Sequence, residues 1–243
     1  MNKSINNNDN SYFNSHEENF KQALELASKD FSDAELYELL KNGNIPQKQI
    51  AALRIKTVES EEQARIFLAN LTGQDGKIRE AVSLRINEFM CNPQTLHYFQ
   101  NINAYDIFLE AIIDINGNIC RNIINAVANM KDSEDFSKYY TSKLIQKIWT
   151  LIDIIKDFDL QDGKYKVNKE VFKLYWCLET LYDFADKIKF SELKPILLAT
   201  KEINDYTIRE KTARILTLNF QDDDLNKIKI QLKNDNNYYV RRF

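Results

Sequence analysis

Turn punctuation is scarce in this chain. Only 5 glycines and 3 prolines occur in 243 residues, too few for the many tight turns of a β-sandwich or barrel. The same scarcity leaves little material for a phosphate-cradling loop, and no G-x-G-x-x-G, P-loop or G-x-S-x-G pattern is present. Two histidines, His16 and His97, lie far apart, and no C-x-x-C occurs, so a zinc site has no ligand set. The three cysteines, Cys91, Cys120 and Cys177, are odd in number and widely spaced. They read as small buried apolar side chains in a reducing compartment rather than as a disulfide framework.

Long apolar runs are also missing. No stretch approaches the ~20 apolar residues of a membrane span, and the polar, Asn-rich start lacks the apolar core of a secretory signal. A formal charge of -3, from 33 basic and 36 acidic residues mixed along the chain, provides no strong general attraction to phosphate backbones or anionic lipid. The expectation is a cytoplasmic protein without metal or cofactor, for which membrane is excluded and nucleic acid disfavoured as a partner.

What remains is helical periodicity. Residues 1–14 are polar and are expected to be disordered. From Ser15 onward, helix-start signals alternate with apolar stripes. Ser15-His16-Glu17-Glu18 and Ser32-Asp33-Ala34-Glu35 read as capping boxes. The first leads into Phe20, Ala23, Leu24 and Ala27, and the second into Leu36, Leu39 and Leu40. Asn42-Gly43 stops that helix, and Pro46 suits the first turn of the next, which carries Ile50 and Leu53. Ser60 starts a helix through Ala64, Phe67, Leu68 and Leu71. Ile78, Val82, Ile86 and Phe89 form the stripe of its partner. Pro93 opens a short helix, followed by helices from Tyr105, Asn118 and Ser133. Asn168 is expected to cap a helix carrying Leu174, Leu178 and Leu181 after a loop at Gln161-Asp162-Gly163-Lys164. Ser191, Asp205 and Asp222 begin the last three full helices.

One signature recurs at these starts. Asp75-Gly76-Lys77-Ile78-Arg79 returns as Asp205-Tyr206-Thr207-Ile208-Arg209, and again as Asn236-Asn237-Tyr238-Tyr239-Val240-Arg241. A looser copy, Asn116-Gly117-Asn118-Ile119-Cys120-Arg121, carries its arginine one place late. The intervals fit units of roughly 30–47 residues, each an antiparallel helix pair. On these motifs the chain resembles the HEAT-repeat, armadillo-like family. The resemblance implies an all-α fold: a right-handed α-α superhelix of stacked antiparallel helical hairpins, a HEAT-like solenoid. It also implies that the motif opens the second helix of each pair and that Arg79 and Arg209 bond the loop aspartates Asp75 and Asp205. The domain is expected to run over 15–243, with irregular middle repeats at about 93–190.

The arginines sit in a first turn, where their charge opposes the helix dipole, so Arg79, Arg209 and Arg241 read as structural. Acidic groups at helix starts, such as Glu17-Glu18 and Asp222-Asp223-Asp224, are explained by capping. Asp157, Asp159, Asp162 and Gly163 come nearest to a calcium loop, but no glutamate follows at the required spacing.

The aromatic-rich centre admits two readings. Tyr139-Tyr140, Trp149, Tyr175-Trp176 and Tyr182 are interleaved with Lys138, Lys143, Lys147, Lys169 and Lys173. They form either core packing with solvated lysines or a groove for peptide or nucleic acid. The leading functional expectation is a non-enzymatic scaffold binding a protein or peptide along its concave helical face. Glu80, Ser83, Asn87, Lys173, Trp176, Lys211 and Arg214 are the face residues by helical phase. The rival is a HEAT-like DNA glycosylase for alkylated bases, with Trp149 and Trp176 and with Asp153 or Asp183 in its groove. A third expectation is self-association through Tyr238, Tyr239 and Phe243 at the carboxy-terminal end.

Overall fold

The computed structural model describes residues 18, 20–157 and 164–243, the side chains of 164–167 excepted. The expected amino-terminal tail, the cap at Ser15, the loop at 161–163 and most of the calcium-like aspartate run lie outside these residues. Among the described residues every regular element is helical, and contacts gather into two compact units, Met1–Ile102 and Asn103–Phe243.

In the first unit, helical residues 20–27 precede α1 (Asp33–Asn42), α2 (Ile45–Arg54), α3 (Glu61–Ala69), α4 (Gly76–Cys91) and α5 (Pro93–Gln100). Each start is local chemistry. Ser32 accepts from the Glu35 amide while the Glu35 carboxylate returns to the Ser32 amide at 2.8 Å, and Asn44 and Gln47 repeat the exchange at α2. Helices touch both their sequence neighbour and the helix two places on: α1 packs on α2 and α3, α2 on α4, and α3 on α5. Two layers result, α1, α3 and α5 in one and α2 and α4 in the other. The seam between them buries Leu40, Phe67, Leu71, Ile78, Val82 and Ile86, with the Phe67 ring edge-on to Phe89 at 5.2 Å. A wholly buried leucine contributes about 2 kcal/mol by leaving water, so these seams rather than isolated short helices hold the unit.

Asn103–Phe243 repeats the design with α6 (Tyr105–Ala111), α7 (Gly117–Ala128), α8 (Glu134–Asp157), α9 (Lys164–Asp183), a 3-10 turn Ala185–Lys187, α10 (Phe190–Thr200), α11 (Tyr206–Leu216), α12 (Asp223–Lys233) and α13 (Tyr238–Arg241). Here α7, α9, α11 and α13 stack as one layer, and α6, α8, α10 and α12 as the other. Antiparallel hairpins stacked in two layers are therefore the architecture of each unit. The signature helices α7, α11 and α13 share one layer of this unit, and α4 belongs to the two-helix layer of the first. Spacing stretches in the middle of the chain because α8 and α9 span 24 and 20 residues.

Several local expectations are corrected. The stripe Phe20, Ala23, Leu24 and Ala27 does not face the core: Phe20, Leu24 and Ala27 are exposed, and the inward residue is Leu26. Leu53 is likewise exposed, because α2 turns Ala51 and Ala52 inward and closes on Ile55 and Val58 beyond its end. Asn168 caps nothing; it lies inside α9, which starts at Lys164. The next helix begins at Phe190 rather than Ser191, with no side-chain cap. Cys120 and Cys177 are buried as expected, but Cys91, the last residue of α4, is exposed.

The largest correction concerns the arginine signature. Asp75 and Asp205 do not bond their arginines; each caps its own helix, Asp75 accepting from the Lys77 amide at 2.9 Å and Asp205 from the Thr207 amide at 2.8 Å. The arginine folds back onto main-chain carbonyls of the loop before the cap. Arg79 reaches Gln74 O; Arg209 reaches Ile203 O at 3.1 Å and Asn204 O at 2.7 Å; Arg241 reaches Asp235 O at 2.7 Å and Asn236 O at 3.0 Å. The guanidinium thus closes the loop's unsatisfied acceptors, which a first-turn cation does better than it serves the dipole. Arg209 also grips the Asp235 carboxylate at 2.7 and 3.3 Å, tying one hairpin loop to the next.

Candidate functional site

In the second unit a groove of about 620 Å³ runs beside α9, flanked by α7 and α11. One wall is a face of α9: Val171, Phe172, Tyr175, Trp176 and Glu179 recur at helical spacing. The other is the first turn of α11, through Asp205, Thr207 and Glu210, and Arg121 enters from α7. This size falls in the range of ligand-binding clefts. A smaller hollow of about 240 Å³ between Ile115, Asn168, Lys169 and Phe172 shares two of its residues. A third, about 400 Å³, lies between α6 and α8 without an aromatic lining, and the Lys143–Asp106 ion pair at 2.6 Å joins two of its lining residues.

The aromatic packing of the groove is built from perpendicular rings. Trp176 meets Phe172 edge-on at 5.9 Å and Tyr175 at 5.0 Å. Adjacent aromatics on one helix cannot both enter the core, and here Trp176 is 6% exposed while Tyr175 is half-buried. The Trp176 indole N–H has no hydrogen-bond partner.

Arg121 reports on the displaced signature. In α4, α11 and α13 the arginine stands four places after the capping residue; after Asn116 that place is the buried Cys120. One residue further turns the side chain by roughly 100° about the helix. Arg121 accordingly bonds Asn118 Oδ1 at 3.2 Å and lies 5.9 Å from the Trp176 ring centre. The irregular copy of the motif supplies the groove with its cation.

Behind the groove, Glu179 is gripped from α11 by Lys211 at 2.7 Å and by Arg214. Lys211 is 6% exposed, and its ammonium lies 4.3 Å from the Tyr175 ring centre; the Arg214 guanidinium lies 4.3 Å from Tyr182. Burial raises the Glu179 carboxyl, but the hydrogen bond and charge of Lys211, then those of Arg214, outweigh it and hold the group below its ordinary value. Asp183, half-buried beside this cluster, is pushed up by burial and by the Glu179 charge.

The sequence-expected contact residues fare unequally. Glu80, Ser83 and Asn87 lie on α4 in the first unit; Glu80 and Asn87 are half-buried, whereas Ser83 is wholly buried with its hydroxyl donating to Glu80 O at 2.9 Å. In the second unit Trp176, Lys211 and Arg214 do come together, but Lys211 and Arg214 both pair with Glu179, Lys211 buried and Arg214 partly exposed. Lys173 pairs with Glu170 at 2.8 Å. Tyr238 and Tyr239 are exposed and Phe243 half-buried on and beyond α13, with Tyr239 stacked on Tyr206 at 6.3 Å. Of the glycosylase set, Trp149 is half-buried on α8 and Asp153 exposed. Phe172, Glu179 and Glu210 were missed. Their available signal was phase: Phe172 and Glu179 stand four before and three after Trp176, and so share its face.

Among the described residues no three histidine, cysteine or acidic side chains gather as a metal site, and no helix is long and apolar enough to cross a membrane. No protein-family model and no curated protein matches the chain. Among solved structures, an engineered protein is similar with a TM-score of 0.50 and 14% identity, over 88% of this chain and 95% of that one. A designed armadillo repeat protein aligns at TM-score 0.45 and 12% identity over 87% and 96% of the two chains. The phycocyanin lyase complex from Nostoc sp. aligns at 0.47 and 12% over 88% and 75%. At these identities the likeness concerns fold alone; the all-α architecture of helices stacked in two layers is read from the helices and their contacts.

Proposed function

We propose that the chain is a non-enzymatic interaction scaffold of the HEAT-like kind, acting in the cytoplasm, and that it receives an extended segment of a protein partner in the groove along α9. The observation that carries this reading is the groove itself: about 620 Å³, with Phe172, Tyr175 and Trp176 on one side and polar groups at the rim. The thiols support the non-enzymatic part, since burial pushes Cys120 and Cys177 up to about 12 and leaves them protonated at neutral pH. Charge supports peptide over duplex DNA: three carboxylates, Glu179, Asp205 and Glu210, line the groove against the single guanidinium of Arg121, the wrong balance for a phosphodiester backbone.

The test is affinity capture at native abundance with the wild-type chain and a Phe172→Asp variant, paired with a low-salt mobility shift on duplex DNA. Phe172 is partly exposed, so the variant should keep its melting temperature and lose the captured partner. An identical partner set for both chains, or salt-sensitive duplex binding, would overturn the proposal.

A further inference from the structure

The three groove carboxylates differ in how firmly they are already engaged. Asp205 is spent on capping α11, accepting from the Thr207 amide at 2.8 Å and the Thr207 hydroxyl at 2.6 Å. Glu179 is held twice, by Lys211 and Arg214, both carried on α11. Glu210 pairs with Arg242 at 2.6 Å, and this partner comes from the residue that follows the four-residue helix α13.

The two sides of that pair are unequal. The Glu210 side chain is 13% exposed on an eleven-residue helix, so its carboxylate needs a cation to offset lost hydration. The Arg242 side chain is 44% exposed, and its guanidinium lies 5.7 Å from the Tyr239 ring centre and 4.9 Å from that of Phe243. Water can take over the Arg242 charge far more readily than that of Glu210. The demand for a cation is thus fixed in the groove wall, while the group that meets it is replaceable.

The chemistry that meets it is also repeated. Arg214 sits between the Tyr182 ring and the Glu179 carboxylate, and Arg242 between the Tyr239 ring and the Glu210 carboxylate. A planar guanidinium suits this ring-and-carboxylate arrangement better than an ammonium, because it stacks on an aromatic face while its fork donates to two oxygens.

We infer that Arg242 is an internal occupant of a guanidinium-accepting end of the groove, and that a partner segment binds by placing an arginine on Glu210 in its stead. This rests on the reading of the groove as a peptide site. The segment lays apolar side chains against Phe172 and Trp176, and its arginine displaces Arg242, so the carboxy-terminal turn acts as a latch that lowers the affinity of every arginine-bearing competitor. Such a latch multiplies the intrinsic affinity by the fraction of chains in which Glu210 is free.

The test is fluorescence anisotropy on the full chain. The probe is a fluorescein-labelled heptapeptide of alanine and leucine carrying two arginines, beside the same peptide with citrulline, a neutral isostere, in their place. Wild type should prefer the arginine peptide. Arg242→Ala should bind it roughly threefold to tenfold more tightly, as expected when a latch closed in most molecules is removed. Glu210→Gln, with unchanged helicity by circular dichroism, should bind both peptides alike. Equal affinity of wild type and Arg242→Ala overturns the latch, with Arg242→Gln as a second variant giving the same reading. A Glu210→Gln protein that keeps its preference for arginine overturns the guanidinium site while leaving the groove standing. Binding of neither peptide by any variant overturns the peptide groove itself.

Discussion

Replacing Arg209 by alanine removes a side chain that closes one hairpin loop and ties it to the next. Its guanidinium makes four hydrogen bonds: two to the Asp235 carboxylate at 2.7 and 3.3 Å, and two to Ile203 O at 3.1 Å and Asn204 O at 2.7 Å. The side chains of Arg209 and Asp235 are 19% and 10% exposed, so the pair lies between a surface bridge, worth under about 1 kcal/mol, and a fully buried one, whose breakage costs 3–5 kcal/mol on the usual scale. Asp235 would keep the Asn237 amide at 2.8 Å, which limits the penalty. The loss expected for Arg209→Ala is about 2–3 kcal/mol. For a domain of this size each kcal/mol moves the melting temperature by about 2–4 °C, so a drop of roughly 4–12 °C should appear. Circular dichroism melts and urea titrations of Arg209→Ala, Asp235→Asn and the double variant would measure it, and the cycle should return a coupling of about 1–3 kcal/mol. Melting within about 1 °C of wild type, or a coupling near zero, would refute the reasoning. So would loss of partner binding with the melt unchanged, because Arg209 would then be a contact residue rather than a structural one.

Two further outcomes follow from burial and charge. In the folded chain, a disulfide reagent such as Ellman's should titrate one thiol rapidly, at the exposed Cys91. Cys120 and Cys177, buried and pushed up to about 12, should react only on unfolding, and three fast equivalents in native buffer would contradict the packing. Stability should also fall with acid. Glu179 is held below its ordinary value of 4.5, so its contribution is complete above that pH and disappears as pH falls through the depressed native value. Asp183, raised above 3.8, has the opposite sign: its ionisation weakens the fold as pH rises through the native value. Urea midpoints between about pH 6 and about pH 3 should therefore fall less steeply for Glu179→Gln than for wild type, and parallel curves would remove Glu179 from the account.

Helix starts were the most legible part of this chain. Ser32, Asp75, Asp205 and Asp222 are all caps, because an Ncap oxygen satisfies amides two or three residues away. The stripe Ile78, Val82, Ile86 and Phe89 is buried as its period implies. Periodicity misled where an element has few neighbours. Residues 20–27 lie at the edge of the described chain, and an apolar stripe there does not say which residue finds a partner. The groove was half legible. Its aromatics stand out in sequence, but the carboxylates beside them do not, since charged residues on a helix are ordinarily solvated.

The recurring turn–Ile/Val–Arg signature shows where the boundary falls. Sequence alone determined that Asp75 and Asp205 would open helices and that an arginine would follow in the first turn, because both facts belong to a single turn of backbone. Only the tertiary structure decided where those arginines go. Arg209 meets Asp235 26 residues on, Arg121, one place out of register, turns to Trp176, and Arg242, the residue after the last signature arginine, meets Glu210 32 residues back. Capping energies act within a few residues, whereas an ion pair between hairpins exists only once stacked layers bring distant loops to hydrogen-bond distance.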